Sequence, residues 1–202
     1  MNKYRRFTIA PLLITFLLLF VSGCTKQSLP LFYYTLESSN QASVSQTEFR
    51  QNILVGPIII SSFLDKGQLI TQNSAYSVSI EEQHRWAGNL KEMLSHALIN
   101  SLSLDLGSNS VYTFPNSYGL KALQVELTFT HFEEDTNGQA LTQARWKIID
   151  STHAILYATT STYTIQPDDK NHRSLVKGLS IGLNKLSKDI ADAIRTVSPS
   201  KE

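Results

Sequence analysis

Leu123-Gln124-Val125-Glu126-Leu127-Thr128-Phe129 alternates apolar with polar residues without a break and runs on through Thr130 and His131 to Phe132. A period of two is what a strand needs when one face meets a core and the other meets water. Residues 140–149 and 154–165 follow as two further strands, and Asn137-Gly138 between the first two is a strong hairpin turn. Residues 123–165 therefore predict an antiparallel meander. Pro167 and Asp168 stop its last strand.

Downstream, from about Asn171, the period changes. Leu175, Leu179, Leu183, Leu186, Ile190, Ile194 and Val197 recur every three or four residues, which is the apolar stripe of a long helix. A seam so regular packs on a sheet or on a neighbouring subunit. Upstream, Trp86, Leu90, Met93, Leu94, Ala97, Leu98 and Leu102 follow the same spacing, so a first helix is expected from Glu81, with Gly107 as its C-terminal cap. Residues 111–114 read as a short strand. Residues 53–60 form an apolar run broken only by Gly56 and Pro57, expected as a strand buried on both faces with a bend or edge at Pro57. Residues 68–71 and 75–80 are shorter strand candidates, forming a hairpin around Asn73, and residues 31–36, rich in Phe and Tyr, read as the first strand. Residues 37–51, dominated by Ser, Asn and Gln, are expected as an exposed loop. Two long helices and a mixed set of strands predict an α/β fold: a single domain whose mixed sheet includes an antiparallel meander, packed by the two helices.

The N-terminus is of a different kind. Lys3, Arg5 and Arg6 precede an apolar run from Phe7 to Val21, and Phe20-Val21-Ser22-Gly23-Cys24 closes it. About 15 apolar residues suit the core of a signal sequence, whereas a stable membrane span wants about 20. Small residues Ser22 and Gly23 admit a peptidase, and Cys24 offers a thiol for a diacylglycerol. The segment reads as a bacterial lipoprotein signal with its lipobox, cleaved between Gly23 and Cys24. Cys24 is the only cysteine, so its acylation leaves no thiol for disulfides or for a thiolate metal site. The expected organisation is a signal peptide over residues 1–23, a lipidated tether over 24–32, one domain over 33–198 and a tail over 199–202. Covalent diacylglycerol and an N-acyl chain such as palmitate on Cys24 would hold the protein on a membrane. Thr25 rather than Asp after the lipidated position favours the outer membrane, with the domain on its periplasmic face.

The 202-residue chain has a formal charge of +1. Three of its cations belong to the signal, so the mature chain is net negative and nucleic acid is not an expected partner. A catalytic set is not legible. Ser, His and Asp occur without a Gly-x-Ser-x-Gly elbow. His84, His96, His131, His153 and His172 form no metal-binding pair and read as isolated surface or structural residues. Glu133, Glu134 and Asp135 before Asn137-Gly138 resemble a cation loop, but the twelfth position from Asp135 is Trp146, not Glu, so a solvated hairpin tip is expected. No Gly-rich loop opens a helix to cradle phosphate. Neither a metal nor a dissociable cofactor is expected.

Four segments stand out: Tyr33-Tyr34-Thr35-Leu36, Val55-Gly56-Pro57-Ile58, Phe63-Leu64-Asp65 leading to Gln68-Leu69-Ile70-Thr71, and His84-Arg85-Trp86-Ala87. Arg85 beside Trp86 suits a protein interface, with an aromatic plate buried and a cation at its rim. Equally, Trp86 fits as the first core residue of the helix. Phe63, Asp65, Arg85 and Trp86 are thus candidates either for partner contact or for the core. In their order, behind a lipobox and before a long C-terminal helix, these segments resemble the ABC-type transport auxiliary lipoprotein family (PqiC-like lipoproteins). Lys66-Gly67 and Gly88-Asn89 depart from the Arg-Pro and Glu-Pro common at those places in the family.

The resemblance implies a three-layer α/β domain that can assemble into homo-oligomeric rings. It also implies a non-enzymatic role in trans-envelope lipid transport and membrane integrity, docking an MCE-domain tunnel protein at the outer membrane. A different expectation for such a lipoprotein is the regulation of a cell-wall synthase.

Overall fold

The computed structural model describes residues 29–38, 49–115 and 121–198. The signal peptide, Cys24, most of the tether, most of the loop expected over 37–51 and the tail at 199–202 lie outside the described residues. The unit Leu31–Glu202 carries eight strands and two helices. In chain order they are β1 (Phe32–Tyr34), β2 (Asn52–Ile60), β3 (Gln68–Ser74), β4 (Ser77–Trp86), α1 (Leu90–Leu106), β5 (Val111–Thr113), β6 (Ala122–Glu134), β7 (Ala140–Ile149), β8 (Ile155–Ile165) and α2 (His172–Val197).

The thirteen-residue β6 organises the sheet. Along one side it pairs antiparallel with β7, which pairs antiparallel with β8. Along the other it pairs first with β2, parallel from Asn52↔Ala122 to Ile60↔Phe129, and then at Thr71↔Glu134 with β3. β5 extends the sheet beyond β2, while β4 and then β1 extend it beyond β3. A bulge in β6 between Phe129 and His131 marks the point where β2 gives way to the turn leading into β3. Ser61 ties that turn to the bulge, its backbone N–H donating to the Phe129 carbonyl at 3.0 Å.

Alternation on β6 sends Leu123, Val125, Leu127 and Phe129 to the face where β7 presents Ala144, Trp146 and Ile148. Both helices cover this face and touch each other, α1 over β2 and β5, α2 over β7 and β8. The α/β class, the mixed sheet, the closing meander and the two long helices are those expected. Among the described residues both helices lie on one face of the sheet, and the opposite face shows Glu126, Thr128, Arg145 and Lys147.

Local chemistry explains the ends of the helices. Asn89 caps α1 by accepting from the Glu92 N–H at 3.2 Å, and Asn171 caps α2 by accepting from the Ser174 N–H at 2.9 Å. Gly107 ends α1 in the left-handed region, φ 61°. Where the helices meet, Ser101 donates to Asn184 at 2.9 Å and Ser187 to the buried Asp105 carboxylate at 2.8 Å. Burial raises the Asp105 pKa, and the Ser187 hydrogen bond opposes that shift.

Three expectations need correction. Residues 81–86 are strand rather than helix, because Arg85 pairs with Gln68 of β3 on one side and Tyr33 of β1 on the other. The hairpin there turns at Ala75-Tyr76, between Ser74 and Ser77, two residues later than Asn73. Strand β2 is buried on one face only: Ile53, Val55 and Ile58 enter the core while Ile59 is 54% exposed. Its register shifts between Val55 and Ile58, where Gly56 adopts φ 125°, a conformation open essentially to glycine. Pro57 sits in that break, where no ladder donor is needed.

Candidate docking surface

The corner where β4 ends joins stretches far apart in sequence. Tyr34 lies opposite Trp86 in the β1–β4 register, and the Ala87 N–H donates to the Tyr34 carbonyl at 2.8 Å. The Trp86 N–H donates to the Gly67 carbonyl at 2.9 Å, tying in the turn that carries Phe63 and Asp65. Leu64 plugs that turn into the core, only 1% exposed. Gly67 itself has open space where a side chain would go, so its contribution is the carbonyl and not its small size.

Within this frame the four candidate residues divide. Trp86 is core, 5% exposed, its ring 6.0 Å from that of Phe132, which meets Phe129 edge-on at 5.9 Å. It is the last residue of β4, not the head of a helix. Phe63 is half-buried against the core, its ring 6.5 Å from His131. Asp65 is exposed, with Lys66 beside it. Arg85 is half-buried; its Nε–H donates to the Glu82 carbonyl at 3.1 Å, and its guanidinium lies 3.5 Å from the Glu82 carboxylate. The corner thus presents Asp65, Lys66 and Arg85 around a buried tryptophan.

Two histidine arrangements depart from the isolated residues expected. His84, on β4, stacks on His172 of α2 with centroids 3.6 Å apart and on Phe32 at 5.1 Å, and its Nδ1 is 2.7 Å from the Tyr34 hydroxyl. Glu81 lies 3.5 Å from His172, with Glu134 of β6 and Arg173 of α2 adding their fields. Burial, and then repulsion from His172, lowers the His84 pKa, against a smaller pull from Glu81. The signal for this site is tertiary: only the β1–β4 pairing and the seating of α2 bring these residues together.

The second arrangement corrects the solvated acidic tip. Glu133 is 1% exposed and meets His131 Nδ1 at 2.6 Å. Its pKa is raised by burial, with hydrogen bonds from His131 and the Phe132 N–H opposing. Asp135 closes the turn, accepting from the N–H groups of Asn137 and Gln139 at 2.9 and 2.8 Å. The β6 bulge produces this result, since after it both Phe132 and Glu133 point to buried surroundings.

A pH effect follows from His84. Its folded pKa lies below the unfolded value of 6.5, so as pH falls through 6.5 the unfolded chain takes up the proton first and stability drops. Raised carboxylates such as Glu133 and Glu134 act in the opposite sense. The expected result is therefore a difference: between about pH 7 and 5, wild type loses stability relative to His84→Gln. Urea unfolding at several pH values checks it, and parallel curves would contradict it.

Among the described residues no group of three His, Cys, Asp or Glu is placed to hold a metal, and no helix is long and apolar enough to cross a membrane. A groove of about 700 Å³ runs between β1 and α2, lined by Phe32, Tyr33, Tyr34, Arg173, Val176 and Lys177.

Residues 34–191 match a family model described as the ABC-type transport auxiliary lipoprotein component. Among solved structures, an uncharacterized protein is 19% identical with TM-score 0.69, covering 82% of this chain and 99% of its own. Protein XCC0632 from Xanthomonas campestris is 11% identical with TM-score 0.71, covering 84% of this chain and 100% of its own. These likenesses concern the fold. No curated protein matches the chain.

Proposed function

The chain belongs to the ABC-type transport auxiliary lipoprotein component family, and from that premise we propose that it is the outer-membrane-anchored subunit that docks an MCE-domain tunnel protein in the periplasm. Membership makes it an auxiliary component of an ABC-type transport system and a lipoprotein. In the proposed reading the protein carries out no chemistry. Acyl chains on Cys24 hold it to the inner leaflet of the outer membrane, and the folded domain supplies the contact surface.

The observation that supports this reading is the β4 corner. Backbone hydrogen bonds tie residues 34, 67, 86 and 87 together, and the buried Trp86 stiffens the base from which Asp65, Lys66 and Arg85 project. Charges on a rigid mount orient a partner and steer encounter more than they add affinity. Anchoring matters because two or more acyl chains make attachment effectively stable, confining the domain to one surface.

Cys24→Ala tests the anchor. Carried on an ordinary cleavable secretion signal in place of residues 1–23, so that processing no longer depends on the lipobox, the variant is expected to be found in the soluble periplasm, to keep wild-type circular dichroism and thermal unfolding, and to fail to restore transport in cells lacking the native protein. Wild-type activity from this soluble version would overturn the reading.

A further inference from the structure

Among the described residues the β3–β4 hairpin outruns the rest of the sheet. β3 meets β6 only at Thr71↔Glu134, and β4 meets β1 only from His84 onward, so residues 72–79 pair with each other alone and project as a two-stranded arm. A lone hairpin is marginal in water. This one has no charged residue from Gln68 to Ile80, and its two-residue turn is Ala75-Tyr76, where Gly, Asn or Asp is usual. Tyr76 is 99% exposed, and Val78 and Ile80, which share a face of β4, are exposed as well. The polar side chains of the arm are already partnered: the Ser74 and Ser77 hydroxyls lie 2.9 Å apart, Ser74 Oγ accepts from the Tyr76 N–H at 3.3 Å, and the Asn73 amide donates to Ser79 at 2.6 Å.

We propose that the turn of this arm is a second membrane contact, in which Tyr76, with Val78 and Ile80 behind it, seats in the headgroup layer of the bilayer that holds acylated Cys24. The inference rests on the anchor proposed at Cys24 and not on the β4 corner. Chain length selects a lipid surface as the occupant. β1 runs parallel to β4, so the chain enters β1 from the side on which the turn lies. Cys24 precedes Phe32 by eight residues, and Tyr76 precedes His84, the register partner of Phe32, by the same eight. At about 3.3 Å per residue either length spans about 26 Å, so a bilayer that holds Cys24 is within reach of the turn. Chemistry agrees, because tyrosine suits the boundary between water and hydrocarbon, and an uncharged arm enters it without stripping water from an ion. The depth is interfacial: the free backbone groups on the outer edges of the arm need water or headgroup partners, and Glu81 and Glu82 end the uncharged stretch. Such a contact orients the domain. β4 then leads away from the bilayer, and the corner at Arg85 lies about 30 Å along it from the turn.

Depth-dependent quenching tests the proposal. The lipidated protein, its Cys24 blocked by acylation, is labelled with a fluorophore at Tyr76→Cys or at Ser151→Cys, in the exposed β7–β8 turn at the other end of the sheet. Each is reconstituted into vesicles of phosphatidylethanolamine and phosphatidylglycerol that carry spin-labelled phospholipid, and flotation of the vesicles reports the anchor separately. The expected result is flotation of both proteins, with quenching at position 76 at least threefold above that at 151, falling to the level of 151 when Val78→Asp and Ile80→Asp are added. Flotation with equal quenching at the two positions would overturn the membrane contact and leave the anchor standing, whereas protein that stays behind when the vesicles float would overturn both. A position-76 probe exposed to water in vesicles but shielded in native envelopes would assign the arm to a protein partner and likewise overturn the proposal.

Discussion

Trp86→Ala is expected to destabilise the domain by about 3–5 kcal/mol, the range for removing a large buried aromatic. The indole fills the corner between β4 and the β6 bulge, 5% exposed and packed on Phe132, so its loss opens a cavity beneath the β1–β4 pairing. Asp65→Ala and Arg85→Ala remove exposed or half-exposed side chains, and each is expected to stay within about 0.5 kcal/mol of wild type. Urea unfolding measures all three. Equal losses at Trp86 and Arg85 would mean that the rim is structural and not available to a partner.

The second large effect concerns the seat of α2 on the sheet. Gly178 and Gly182 let the helix approach β7 closely: a Cβ at Gly178 would stand 2.7 Å from Ala140 Cβ, and one at Gly182 would stand 2.5 Å from Thr142 Oγ1. Gly182→Leu forces helix and sheet apart and is expected to cost about 3 kcal/mol, the upper end of ordinary overpacking. Among the described residues the adjoining Thr142 hydroxyl is buried without a hydrogen-bond partner. Thr142→Val keeps the shape and removes the unsatisfied group, so it is expected to raise stability by about 1 kcal/mol. Thermal unfolding of the two variants should move in opposite directions. A destabilised Thr142→Val would show that the hydroxyl is satisfied in solution.

Elements whose signals are local were legible in the sequence. The alternation from Leu123 to Phe129, the Asn137-Gly138 turn, the stripe from Leu175 to Ile194 and the Gly107 cap each depend on neighbours within a few residues, and each has its element in the structure. The end of β4 misled because Trp86 stands four residues before Leu90 and so continued the period of α1. What makes residues 81–86 a strand is pairing with β3 and β1, which no local spacing reveals. Likewise the one-sided burial of β2 and the burial of Glu133 follow from a helical layer confined to one face and from a bulge.

The candidate site was legible in part. Phe63, Asp65, Arg85 and Trp86 drew notice from their types and order, and the structure joins their segments at one corner while assigning Trp86 to the core. The stack of His84 on His172 had no sequence signal, since residues on β4 and α2 meet only in the finished fold.

The central claim is that the β4 corner of an outer-membrane lipoprotein meets a tunnel protein. Its most direct test is a photocrosslinking amino acid placed at Asp65 and, separately, at Arg85 of the lipidated protein in cells, with mass spectrometry of the captured partner. The account predicts an MCE-domain protein at both positions and none from a probe at exposed Ser151, in the β7–β8 turn at the opposite end of β6 from Phe132. Capture of a cell-wall synthase at the corner, or of an MCE-domain protein equally from every position, would contradict it.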